Sequence, residues 1–364
     1  MAKLRGAVIG YGFISGKGHI PAYLERARAG AHGGDVEIVA VADICEARRS
    51  AAQEALPKAR IYADSKALLA AEAGNLDFVD ISTPPCDHAA IAHAAFDQGL
   101  HVLCEKPLTT TLEDARSLLE HARRAQRVIF PCHNYKHAPV VRAIREIIDS
   151  GKIGKVRSIT LNTFRNTHAK GVNEWKTHWR REHQYSGGGI AMDHGSHTFY
   201  LTFDWMGTYP TAVTAKMSNL EPAKYDTEDN FSAVLTFPNG VAHSYLSWTA
   251  GVRKVIYTVQ GERGAITVDD DELQLATQVK TDGPDVAQGA IRWNVEKRSI
   301  SSDWMDASHV SWFNSMFDQF KTAIAKGDFV GKEARESYLC IQLISQAYKS
   351  AADGCRELPL EALA

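Results

Sequence analysis

The chain has no long uncharged apolar run, no excess of charge of either sign and no closely spaced cysteine pairs, and each absence removes a class of protein. A helix crossing a bilayer needs about 20 largely apolar residues, and no such stretch is found. Lys and Arg number 41 against 43 Asp and Glu, a formal charge of -2, which offers no basic field for nucleic acid or an anionic membrane. The six cysteines (45, 86, 104, 132, 340 and 355) are scattered, several at the ends of apolar runs, and read as free thiols in a reducing compartment. The first residues enter a strand at once with no charged-then-apolar leader pattern, so the expected location is the cytoplasm. The expected partner is a small molecule.

A length of 364 residues exceeds what one core usually serves, so two domains are expected, 1–150 and 151–364. In the first, the run Leu4 to Ile9 leads into Gly10-Tyr11-Gly12-Phe13-Ile14-Ser15 and then a helical pattern through Ile20, Tyr23 and Leu24. Strand, glycine turn and helix together are the context of a dinucleotide-binding turn, in which helical N–H groups face phosphates. The next strand, Val36 to Ala42, ends at Asp43, whose carboxylate suits two ribose hydroxyls and repels a 2'-phosphate; it also suits a helix N-cap. NAD is therefore expected over NADP, although Arg48 and Arg49 keep NADP open. Further strands at Phe78 to Ser82, Val102 to Cys104 and Val128 to Cys132 alternate with helices, the pattern of a doubly wound parallel sheet of Rossmann type. The second strand of these halts at Glu105-Lys106-Pro107, which delivers an amine to the carboxyl edge of the sheet, where ligands sit.

Beyond Lys155 the runs Val156 to Phe164, Thr211 to Met217, Asn230 to Phe237, Val241 to Trp248, Lys254 to Gln260 and Ala265 to Val268 are joined by short turns. They predict an open, mostly antiparallel sheet with helices on one face, the other face free for helices or a second subunit. Helices at Trp312 to Lys326 and Glu333 to Ala352 close the chain, with the tail expected to pack toward the first domain. Within this half, Gly187-Gly188-Gly189 precedes a helix on which Asp193 and His197 stand four residues apart, on one face. A carboxylate beside an imidazole fixes its tautomer and suits a general acid/base; it is equally an ordinary helix-surface pair. A metal site is not expected, because Asp193 and His194 point apart and no further ligand run follows.

Four motifs in order, Gly10-x-Gly12, Thr83-Pro84-Pro85 with His88, Glu105-Lys106-Pro107, and Asp193 with His197 after a glycine run, resemble the glucose-fructose oxidoreductase and inositol dehydrogenase family, Gfo/Idh/MocA. The resemblance implies a nicotinamide cofactor at the domain junction, lined by Gly10, Gly12, Phe13, Ile14, Asp43, Thr83, Pro84, His88 and Glu105, with Lys106, Asp193 and His197 around the reacting carbon. It implies hydride transfer between the cofactor and a secondary alcohol or ketone of a sugar, cyclitol or derivative, in a homodimer or homotetramer. His197 is expected to accept the proton with Asp193 orienting it, and Lys106 to stabilise charge on oxygen; Lys106 as first acceptor stays open. An NAD-dependent glycoside hydrolase acting by transient oxidation, or a non-catalytic NADH-sensing regulator, are the alternatives.

Arg165, His168, Lys170, Lys176, His178, Arg180 and Arg181 crowd one stretch together with Trp175 and Trp179. Arg165, Lys176, Trp179 and Arg180, with Asn134, Tyr135 and His137 after the last strand of the first domain, are the expected substrate contacts. The cations suit an anionic substrate; a solvated loop or a subunit contact is the other reading.

Overall fold

The computed structural model describes residues 3–28, 33–279, 292–301 and 309–362. Short, mostly apolar runs form a six-stranded all-parallel sheet, largely buried except at the β3 edge: β1 Leu4–Ile9, β2 Val36–Ala42, β3 Arg60–Tyr62, β4 Phe78–Ile81, β5 His101–Cys104 and β6 Ile129–Pro131. Their order is β3-β2-β1-β4-β5-β6. Strand order reverses between β1 and β4, and a crevice opens there at the carboxyl ends of the strands. Gly10 follows β1 and Thr83 follows β4, so both expected cofactor loops flank that crevice.

The second sheet has nine strands: β7 Val156–Phe164, β8 Ala212–Ser218, β9 Asn230–Phe237, β10 Gly240–Ser247, β11 Lys254–Gly261, β12 Gly264–Asp269, β13 Glu272–Val279, β14 Arg292–Ser299 and β15 Leu358–Pro359. Their order is β14-β13-β12-β11-β7-β10-β9-β8-β15, antiparallel throughout except for β7 beside β10. Alternation sorts its faces. Val255, Tyr257 and Val259 are buried among the helices, while His243 and Tyr245 of β10 face outward. Strands β13 and β14 were not expected; β14 is exposed along its whole length and carries Arg292, Asn294, Glu296 and Arg298, a polar pattern that hides a strand from a search for apolar runs.

The helix Pro139–Asp149, at the junction of the two sheets, packs Val140, Val141, Ile144 and Ile147 into the core of the second sheet. The tail joins the second sheet, where β15 pairs with β8, and just beyond it Glu361 lies 3.6 Å from Arg116 of the first-domain helix Leu112–Ala125. The helix Val310–Lys326 returns to the first domain: Phe317 and Phe320 stack about Phe78 of β4, both with ring centroids 5.6 Å away, and Phe317 meets Tyr23 at 5.2 Å. The last long helix, Lys332–Ala352, is latched to the end of β6 by charge. Lys136 Nζ lies 2.7 Å from Glu333 and 2.5 Å from Glu336, and His133 Nδ1 lies 2.7 Å from Glu333.

Phe317 is 2% exposed, and truncating a core phenylalanine costs about 3–5 kcal/mol. Phe317→Ala should therefore lower the urea midpoint markedly while leaving the slope of the transition unchanged.

Candidate active site

The crevice at the switch point continues across the domain junction as one cleft of about 840 Å³. Its first-domain wall begins at Gly10, whose φ of +94° and position against the backbone of Ser82, 2.8 Å from where a Cβ would stand, both require glycine. At Gly12 a Cβ would meet nothing within 4 Å, so its absence leaves the cleft open to a ligand. Phe13 and Ile44 stand 47% and 66% exposed on this wall, apolar surface that no part of the described chain covers. Ile14, Pro84 and Thr83 complete it, and the buried Thr83 Oγ1 has no hydrogen-bond partner among the described residues. Ser15, in the third-glycine position, is fully buried in a π-helical turn, Ser15–His19, and is not among the residues lining the cleft.

Asp43 sits at the tip of β2 as expected. Its Oδ2 accepts the Tyr11 N–H at 2.7 Å and its Oδ1 the Cys45 N–H at 2.8 Å, which fixes the carboxylate on the glycine turn. The two arginines that kept a 2'-phosphate open are engaged with the protein itself: Arg48 donates to Tyr11 O at 2.8 Å, and Arg49 to Asp43 O at 2.9 Å. An open glycine turn, uncovered apolar surface, an orphaned hydroxyl and an acidic strand tip together fit a dinucleotide.

Lys106 reaches from the end of β5 into the second domain. Its ammonium donates to the Asp193 backbone carbonyl at 2.9 Å and to Asp193 Oδ1 at 3.0 Å. Burial raises the Asp193 pKa, but Lys106, Arg180 and His194 outweigh it and hold the carboxyl well below its usual range. Asp193 ends a short helix, Ile190–Asp193, whose N-terminal amides are fixed by the buried Glu228, accepting from Gly189 N–H and Ala191 N–H at 2.9 Å each. A side chain on Gly189 would overlap the Glu228 carbonyl, which explains glycine there.

The expected pairing of Asp193 with His197 is not formed. The helix is interrupted at His194, and His197 belongs to the next segment, Gly195–Met206. Its Nδ1 meets the Tyr200 hydroxyl at 2.6 Å, and its ring stacks on Tyr135 at 3.9 Å between centroids. Burial, then the Lys106 charge, hold His197 well below the usual imidazole range, so it is neutral. His194, absent from the expected set, lines the same cleft and is pushed down to about 3 by burial and the neighbouring Arg165, Lys106 and Arg180, against the pull of Asp193.

Of the other expected residues, Asn134, Tyr135, Arg165, Trp179 and Arg180 line the cleft, and Arg180 stacks over Trp179 at 4.2 Å. Three do not. His88 is fully buried, its ring nitrogens 2.9 Å from Thr83 O and 3.0 Å from Pro107 O, and so clamps the two loops together behind the wall. His137 faces Arg142, 3.1 Å away, and Lys176 lies over the Tyr185 ring. Arg253 and Tyr200 are additions; Tyr200 was findable one helical turn from His197, whereas Arg253 reaches the site only through sheet pairing.

Glu105 borders the cleft and is held from behind. Its Oε1 lies 2.9 Å from His19 Nε2, and His19 Nδ1 lies 2.6 Å from Asp80 Oδ2, a carboxylate that also accepts from Tyr23 at 2.7 Å. Burial lowers the His19 pKa, yet Asp80 and Glu105 more than offset it and raise it to about 10. A raised folded-state pKa gives stability that is full below the unfolded value near 6.5 and lost as pH climbs through about 10. Urea unfolding should show wild-type stability declining over that window, and His19→Gln should flatten the decline.

Residues 4–133 match the sequence model of an oxidoreductase family with an NAD-binding Rossmann fold, and residues 141–267 match the GFO/IDH/MocA C-terminal domain. D-glucoside 3-dehydrogenase of Escherichia coli K12 is 26% identical over 375 aligned positions, covering 98% of this chain and 97% of its own. The structure of GenD2 from gentamicin A biosynthesis in complex with NAD is similar with a TM-score of 0.79 and 25% identity, covering 100% of this chain and 97% of that one. Levoglucosan dehydrogenase in complex with NADH and L-sorbose shares the fold, with a TM-score of 0.84 and 22% identity over 99% of this chain and 100% of that one. On both its domains, the chain belongs to the Gfo/Idh/MocA family of dehydrogenases and reductases, with an NAD-binding Rossmann domain as its N-terminal part.

Proposed function

We propose that the protein transfers hydride between a nicotinamide cofactor and a secondary alcohol or ketone of a sugar, cyclitol or related compound. The observation that carries this reading is the meeting of Lys106, from the first domain, with Asp193 and His197, from the second, on the cleft that the glycine turn also lines. A relative named for sugar oxidation and a similar structure holding a sugar beside NADH support the substrate class. When bound, the nicotinamide supplies the hydride acceptor or donor.

His197 is the proton acceptor. A neutral imidazole is the form that can take a proton, and in the tautomer whose Nδ1 donates to the Tyr200 hydroxyl, 2.6 Å away, Nε2 is the accepting nitrogen. Lys106 stabilises the negative charge that develops on the substrate oxygen. Asp193 positions Lys106 by two hydrogen bonds and does not act through His197. Asp43 favours NAD over NADP, with Arg48 and Arg49 already committed to backbone carbonyls. The outward face of the nine-stranded sheet suits a homodimer or homotetramer, and free cysteines suit a cytoplasmic setting.

Turnover of a panel of sugars and cyclitols with NAD, followed by reduced nicotinamide absorbance, tests the reading. Lys106→Ala and His197→Ala should each lower kcat/KM by about 10²–10⁴ with NADH binding retained; undiminished turnover in either would remove its assigned role. In Asp43→Ser the ratio of kcat/KM with NADP to that with NAD should rise at least about tenfold, since a carboxylate no longer faces the 2' position.

A further inference from the structure

The second-domain side of the cleft carries more positive charge than its own acid can balance. Lys106 and Arg180 share Asp193, the latter through Nε at 3.4 Å. Among the described residues, Arg165 and Arg253 have no such partner. Arg165 is 7% exposed, and only its Nη1 is engaged, with the backbone carbonyls of Phe164 and Lys254. Arg253 makes no hydrogen bond or ion pair among the described residues, and both side chains line the cleft.

Sheet register explains their proximity. Strands β7 and β11 are antiparallel with Phe164 opposite Lys254, so Arg165 and Arg253 stand opposite one another one step past the end of the ladder. Like charges across a strand pair are destabilising, and a cost of this kind is expected where a ligand offsets it. Asp269, nearby, is bound to Lys254 Nζ at 2.8 Å, and Asp270 Oδ1 accepts the Val255 N–H at 2.8 Å. The surrounding field is positive enough to help keep His168 and His194 neutral: both are pushed down, to about 4 and about 3, by burial and by neighbouring cations. Arg253 itself is lowered by burial and by Arg165.

We infer that Arg165 and Arg253 form an oxyanion subsite, and that the sugar or cyclitol substrate bears a carboxylate or phosphoryl group held by these two guanidinium groups. The inference rests on the dehydrogenase reading above for the identity of the remainder of the ligand, but not for the anion itself. Two planar guanidinium groups at the end of one strand pair can donate charge-assisted hydrogen bonds to an oxyanion, a contact a neutral polyol does not make.

The test is equilibrium titration of the full-length protein, with and without NADH, using D-glucuronate, D-glucose 6-phosphate and neutral D-glucose, followed by calorimetry. At least one anion should bind about tenfold or more tightly than glucose, with the advantage weakening as salt is raised. Arg253→Gln, at an exposed position, should bring the anion-to-glucose ratio close to one, with its thermal melt as the control for folding. Arg165→Gln should do the same, and its thermal melt separates lost binding from lost folding. The anion that shows the gain tells carboxylate from phosphate. Anions binding no better than glucose, or a preference that survives both substitutions, would overturn the subsite. Absence of NADH binding would instead overturn the cofactor reading, while titration of the protein alone still decides this one.

Discussion

The ion pair between Lys106 and Asp193 is the contact on which the site depends, because its partners come from different domains. Lys106 binds both the carboxylate and the backbone carbonyl of one residue, so it fixes the end of a helix as well as a charge. Each partner is braced from behind. On one side His88 ties Pro107 to Thr83, and Glu105, ion-paired to His19, accepts the Lys106 N–H at 3.1 Å. On the other, Glu228, itself accepting from Tyr348 at 2.9 Å, caps the helix that ends at Asp193. Removing one member of a buried pair leaves an uncompensated charge, which is far more harmful than never having built the pair.

The same low-dielectric setting sorts the titratable groups into roles. Cations that have an acid nearby hold it ionised, and imidazoles beside those cations are kept neutral. Behind the first-domain wall the balance is reversed: two carboxylates surround one imidazole, and His19 is held protonated. One residue type thus serves as a neutral acceptor at position 197 and as a buried cation at position 19, and environment alone makes the difference.

What the sequence by itself determined is whatever short-range chemistry enforces. The glycine turn after β1, the acidic tip of β2, the lysine at the end of β5 and the glycine run before Asp193 are each read within a few residues, and each stands where local propensity puts it. The alternation of strands and helices likewise specifies a parallel sheet. The tertiary structure alone decided the partners. Spacing put Asp193 with His197, but an ammonium 87 residues earlier in the chain is the stronger partner for a buried carboxylate, and a phenol one turn away satisfies the imidazole. His88, His137 and Lys176 bear the right chemistry for a site and are turned from it by backbone carbonyls, an arginine and a tyrosine ring that only folding brings near. Arg253 carries no local mark at all. It reaches Arg165 because β7 and β11 pair in one register, and a register is set by the burial of a whole sheet face and not by any neighbour in the chain.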